Sequence, residues 1–179
     1  MKTAFTLSFL LLFSLHSLAQ ENPADQLKKL DFLIGDWSLE NYKNTPDGSW
    51  ESLGKTSASF GWENGERFIK EMTQYLTQFG EINMLSYIAF DYRLNNFKLT
   101  AMDKEYGLMD VYHGEYKDKV LIFTNLNSDI PIKMPDGREL SFRLTYTFKN
   151  NKEFTHLVEG TYDKCQNWFV FARSDYKKK

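Results

Sequence analysis

Several things are scarce in this 179-residue chain, and each shortage excludes a class of protein. There is one cysteine, Cys165. It cannot close an intramolecular disulfide or build a cysteine-rich zinc site. There are three histidines, too few for a histidine metal cluster, so no metal site is expected. Ten glycines and four prolines are far from a collagen-like or low-complexity composition. Neither sign of charge dominates, with 22 basic against 24 acidic residues and a net charge of −2. Nucleic-acid binders usually carry a basic excess, so no nucleic-acid partner is expected. Beyond the first twenty residues there is no long apolar run, which argues against stable membrane insertion. Gly-x-Ser-x-Gly elbows, phosphate-binding loops and dinucleotide fingerprints are all missing, and no catalytic residue is predicted.

Aromatic residues, by contrast, are abundant: fifteen phenylalanines, ten tyrosines and four tryptophans. That is ample material for one core in a chain of this length.

Residues 1–19 read as a signal peptide. Lys2 supplies the positive start, Leu7–Leu15 a short apolar core, and Ser17 and Ala19 the small residues that precede a cleavage site. Cleavage after Ala19 would leave residues 20–179 as a single soluble domain in the periplasm or outside the cell. Oligomeric state is left open.

The mature chain begins with a helical pattern. Pro23 suits a first turn, Leu27, Leu30, Leu33 and Ile34 recur at helical spacing, and Gly35 ends the run. From Trp37 the period changes to two, with turn residues about every ten positions. Ten strands are predicted: Asp36–Lys43, Trp50–Trp62, Phe68–Gln78, Ile82–Tyr92, Phe97–Lys104, Leu108–Tyr116, Val120–Asn127, Arg138–Lys149, Lys152–Tyr162 and Asn167–Tyr176. Sequential hairpins of this kind make an antiparallel up-and-down meander. Closing it into a β-barrel removes both bare edges and leaves an interior wide enough for side chains or one small ligand. The fold class expected is therefore all-β, a ten-stranded barrel with a short N-terminal helix.

One hairpin can be tested for register. A three-residue loop at Asn150–Lys152 pairs Phe148 with Phe154, Tyr146 with His156 and Leu144 with Val158, and sets Arg143 opposite Glu159. Apolar residues then meet each other and opposite charges meet, whereas a one-residue slip would place Arg143 beside Val158. Phe142, Leu144, Tyr146, Phe148, Phe154 and Val158 form the predicted lumen face, and His156 and Tyr146 are its polar members. These seven are the candidate ligand-binding residues.

Other polar residues carry less. His113 has Asp110 on the opposite strand face by parity, which breaks any metal set. Glu71, Glu115 and Glu159 lie on strands and read as a solvated outer face. Cys165 reads as an incidental turn thiol. Ser86 and Ser141 lack an identifiable base.

Gly35-Asp36-Trp37 resembles the start of the calycin superfamily, in which lipocalins open their first strand with Gly-x-Trp. A terminal-strand arginine covers that tryptophan in the family, which implies that Arg173 lies over Trp37 here. The chain also resembles a bacterial lipocalin-like family of unknown function. The matching segments are Leu33–Trp37, Asn64–Ile69, Phe90–Phe97 and Arg143–Phe148, within a likeness spanning roughly residues 27–177. Nitrobindins, ten-stranded haem-binding barrels, are a more distant likeness. Their proximal histidine lies on the last strand, whereas His156 lies one strand earlier here.

The function expected is a barrel that binds a small hydrophobic molecule in its lumen, without a cofactor. The alternatives are haem binding through His156 and a non-catalytic envelope interaction protein. An enzymatic reading would require convergent polar groups with shifted pKa values inside the barrel.

Overall fold

The computed structural model describes residues 22–128 and 131–179. The predicted signal peptide lies outside the described residues.

The chain opens with helix α1 (Pro23–Lys28), in which the Asn22 side chain caps the Ala24 N–H and Pro23 occupies the first turn. The predicted helix does not run on to Ile34. It stops at Lys28 and resumes as a 3₁₀ turn, Asp31–Leu33. The tighter turn still buries Leu27, Leu30 and Leu33 completely against the barrel end. Burial of each such leucine is worth about 1.5–3 kcal/mol.

Among the described residues, eleven strands follow. They are β1 (Gly35–Asn44), β2 (Trp50–Glu63), β3 (Phe68–Thr77), β4 (Gly80–Asp91), β5 (Asn96–Asp103), β6 (Met109–Lys117), β7 (Val120–Thr124), β8 (Ile132–Lys133), β9 (Glu139–Asn150), β10 (Glu153–Thr161) and β11 (Phe169–Lys178). Each pairs antiparallel with its sequence neighbour, except that β7 passes over β8 to pair with β9. β11 pairs with β1, which closes a ten-stranded barrel. β8 pairs only with β9 and stays outside the closed wall. It falls between the predicted strands Val120–Asn127 and Arg138–Lys149, because two residues are too short to show a period.

The tested hairpin has the predicted pairing: Phe148 with Phe154, Tyr146 with His156, Leu144 with Val158, and Arg143 with Glu159. The last pair closes an ion pair of 2.7 Å on the outer face. Only the tip differs. Asn150 pairs with Glu153 across Asn151-Lys152, and a bulge between Glu153 and Phe154 restores the predicted alternation.

Three glycines hold close approaches, one of them Gly160, where a Cβ would lie 2.5 Å from Phe169 Cζ. Gly35 has φ +127°, and a Cβ there would lie 3.2 Å from Lys178 Cε. On β6, a Cβ at Gly114 would lie 2.3 Å from Phe123 Cδ1, so the bare position is what admits that ring to the interior.

The helix end of the barrel is packed with aromatic rings. Trp37 has no exposed surface and meets Phe154 edge-on at 4.9 Å. Phe154 stacks on Tyr176 at 4.1 Å, and Phe148 packs against both Phe154 and Phe32. The Trp37 indole N–H donates to the Leu33 carbonyl at 2.7 Å, tying the barrel floor to the 3₁₀ turn.

The cation over Trp37 is Lys178, not Arg173. Its ammonium sits 5.5 Å from the ring centroid and donates to the Phe32 carbonyl at 2.8 Å. The register explains this. Lys178 is paired directly with Trp37, while Arg173 is paired with Tyr42. Along β11, Ala172, Ser174 and Tyr176 are the buried positions, so Arg173 falls on the outer face. There its guanidinium lies 5.3 Å from the Tyr42 ring and 5.1 Å from the Trp50 ring.

Candidate functional site

All seven lumen candidates lie on the inner wall. Tyr146, Phe148, Phe154, Leu144 and His156 are buried, while Phe142 and Val158 are half-buried and pack against the core. Tyr146 and His156 are cross-strand neighbours, and their rings lie face to face, with centroids 4.2 Å apart and planes within 14°.

Tyr146 is therefore a stacking partner of His156. The hydrogen bond to the imidazole comes from elsewhere. Tyr75 Oη, on β3, lies 3.1 Å from His156 Nδ1. The same hydroxyl is 2.7 Å from Tyr176 Oη, on β11. Both tyrosine hydroxyls also approach Glu71 Oε1, at 3.4 Å for Tyr75 and 3.3 Å for Tyr176. Thr73 donates to that oxygen at 2.6 Å. Four strands thus converge on one buried cluster.

Glu71 is the largest correction to the sequence reading. It is 1% exposed and faces the lumen, not solvent. β3 is ambiguous by period. Phe68, Met72 and Leu76 recur on one parity, and Ile69, Tyr75 and Thr77 on the other. The barrel turns inward the set that carries Glu71, and leaves Met72 54% exposed. Glu159, by contrast, faces Arg143 outside, as expected.

Electrostatics follow from burial. Desolvation pushes the Glu71 carboxyl up to about 7, against the pull of hydrogen bonds from Thr73, Tyr176 and Tyr75. Desolvation brings the His156 imidazole down to about 3, so it is neutral at ordinary pH. Tyr75, Tyr146 and Tyr176 are all raised by burial first and by the Glu71 charge second. His156 is 4% exposed, and its Nε2 has no hydrogen-bond partner among the described residues.

A second polar group lies further along the lumen. Asn41, fully buried on β1, donates to Thr56 Oγ1 and accepts from Ser174 Oγ, each at 2.8 Å. Small inward side chains accompany these groups: Ala58, Ser86, Ala101 and Ala172 are all buried. Two hollows open at the helix end. One, of about 160 Å³, is lined by Gln26, Phe90, Asn96 and Tyr116 among others. The other, of about 590 Å³, is a broad concavity over Lys119 and Asn150–Glu153. Neither is lined by the Glu71–His156 cluster.

The remaining sequence candidates stand apart from it. His113 Nδ1 is 3.4 Å from the Asn96 side-chain amide on the neighbouring strand. Cys165 is exposed. Among the described residues, no group of three or more His, Cys, Asp or Glu is placed to hold a metal ion.

Chemically, the cluster offers a neutral carboxyl/carboxylate pair of states at Glu71, two bridging phenols and a neutral imidazole. A proton can pass between Glu71 and the imidazole along hydroxyls already in contact. No protein-family model matches the chain, and no curated protein matches it.

Proposed function

We propose that this protein is an exported small-molecule-binding barrel that seats one largely apolar molecule in its lumen, with the molecule's polar end at His156. The observation that carries the reading is the buried, unpartnered His156 Nε2. An unsatisfied buried polar atom costs about 1–3 kcal/mol, and each such atom in a native fold calls for an explanation. A ligand atom at Nε2 supplies one. Aromatic walls with a few convergent polar groups are the usual make-up of a ligand pocket. The Gly35-Asp36-Trp37 opening and the ten-stranded closure support a place among lipocalin-like barrels, a likeness of fold that leaves the ligand to be argued from the site.

The test is native mass spectrometry of the protein purified from its own host, with His156→Phe alongside. The expected result is a bound mass that organic extraction removes and that the variant lacks. A clean unliganded mass for both proteins overturns the reading.

Haem ligation is the weaker reading. A free Nε2 with Nδ1 held by a hydrogen bond is the state in which imidazole binds a metal. A macrocycle needs a broad clear plane at Nε2, and the rings of Tyr146 and Tyr75 flank the imidazole with centroids at 4.2 and 5.7 Å. Haem titration is expected to give no Soret shift.

An interaction role draws on the outer surface. Met72, Leu85, Met102 and Met109 are paired in register across β3, β4, β5 and β6, forming an apolar row on the outside of the wall. Nothing in the structure identifies what would cover it.

A further inference from the structure

We infer that His156 is held as its Nδ1–H tautomer, so that Nε2 is an acceptor and the lumen selects an apolar molecule ending in a hydroxyl or N–H donor. This inference rests on the lumen-binding reading above.

The argument is a count of protons. Tyr75 and Tyr176 each have one hydroxyl hydrogen. Their oxygens are 2.7 Å apart, so one donates to the other. Suppose Tyr75 donates to Tyr176. Tyr176 then donates to Glu71 Oε1, and His156 Nδ1 can satisfy its contact with Tyr75 only by donating. Suppose instead Tyr176 donates to Tyr75. Tyr75 can then donate to Glu71, which again leaves Nδ1 as the donor, or to Nδ1 itself. The last arrangement is the poorest. It leaves the carboxylate with Thr73 as its one donor in the cluster, and it places a buried Nε2–H without an acceptor. Buried orphan N–H groups are rarer than under-satisfied acceptors. An ionised Glu71 therefore draws the hydroxyl hydrogens toward itself, and the chain runs from Nδ1–H through Tyr75 and Tyr176 to Oε1.

The ligand class follows. A carbonyl or ether end would set an acceptor against an acceptor. A carboxylate end would enter beside Glu71 with no cation to receive it. Lys178, the cation at the aromatic floor, is held by Trp37 and the Phe32 carbonyl. The groups facing the cluster from the surrounding strands include Tyr146 on β9, Tyr112 on β6, Thr73 on β3, Tyr176 on β11, and the buried hydroxyls of Ser86 on β4 and Ser174 on β11, which pair in register with Glu71 and His156; none of these is cationic. An alcohol, phenol or amide N–H is what an uncharged acceptor in an aromatic wall recognises.

The experiment uses the full ¹⁵N-labelled chain at pH 8, with long-range ¹H–¹⁵N correlation of the imidazole. The probes are 2-naphthol and its methyl ether, 2-methoxynaphthalene. The expected spectrum has a protonated Nδ1 and a bare Nε2. Naphthol is expected to move the Nε2 resonance and to bind on the order of tenfold tighter than the ether, the effect of one hydrogen bond. Tyr75→Phe is expected to lose the single tautomer, which a merely packed histidine would keep. A protonated Nε2 in the wild type overturns the inference, as does equal affinity for the two probes. An Nδ1–H tautomer with neither probe bound instead overturns the lumen-binding reading on which the ligand class depends.

Discussion

Tyr75 Oη and His156 Nδ1 meet at 3.1 Å inside the barrel although 81 residues separate them. They lie on β3 and β10, with β2, β1 and β11 between them around the wall. Tyr176 of β11 joins the pair from the strand beside β10. The contact therefore forms only when the barrel has closed, and the Tyr75 and Tyr176 hydroxyls link the buried carboxyl of Glu71 to the buried imidazole.

Replacing His156 by Phe separates a binding role from a structural one. The substitution keeps a ring against Tyr146 and removes a desolvated polar atom that lacks a partner. Stability at pH 8 is expected to change by less than about 1 kcal/mol, or to rise, while ligand uptake is lost. A loss of 3 kcal/mol or more in urea unfolding would show that the imidazole serves the core.

The pH dependence of stability is set by two opposed groups. Burial raises Glu71 from 4.5 to about 7, so between those values the folded state holds a proton that the unfolded state has released. Stability from this group falls as pH rises. Burial lowers His156 from 6.5 to about 3, so the unfolded state holds the extra proton, and stability from this group rises with pH. From about pH 4.5 to 6.5 the two cancel, and wild-type stability is expected to be nearly flat there. Glu71→Gln leaves the histidine alone, and stability should then climb by about 1.4 kcal/mol per pH unit across the same window. His156→Phe should fall with a similar slope. Denaturant midpoints at four or five pH values test both signs. Parallel profiles for all three proteins would contradict the assignment.

Protonating Glu71 should reverse the hydrogen-bond chain. The neutral carboxyl can donate to Tyr176, Tyr176 to Tyr75, and Tyr75 to Nδ1, which moves the imidazole proton to Nε2. The Nε2–H signal of His156 is expected to grow as pH falls through about 7, and to lose that dependence in Glu71→Gln. A tautomer that ignores pH between 5.5 and 8.5 would uncouple the two residues.

Lys178→Met removes both the cation over Trp37 and the donor to the Phe32 carbonyl. A loss of about 1–2 kcal/mol is expected, together with altered tryptophan fluorescence. Arg173→Ala, on the outer face with Asp175, is expected to cost less than about 1 kcal/mol and to leave the Trp37 environment unchanged. The reverse order of effects would restore Arg173 as the residue that closes the barrel floor.

The barrel was legible because most of its strands alternate and its turns carry Gly, Asn and Asp at the reversals. The β9–β10 hairpin could even be placed in register, since Arg143 and Glu159 allow one pairing that suits both faces. Two members of the cluster were legible with it, because His156 and Tyr146 lie on that hairpin. Glu71, Tyr75 and Tyr176 were not. β3 carries apolar residues on both parities, so its inward face cannot be read locally, and contacts from β3 to β10 and β11 depend on closure. Lys178 was missed for a related reason. Its place over Trp37 follows from the β1–β11 register, which no local pattern fixes.

The most direct test of the account is a high-resolution crystal structure of the protein purified from its own host, read at one atom. The account predicts electron density for a molecule inside the barrel, with an oxygen or nitrogen within hydrogen-bond distance of His156 Nε2. Hydrocarbon side chains packed against Nε2, with no room for a ligand atom beside it, would contradict it.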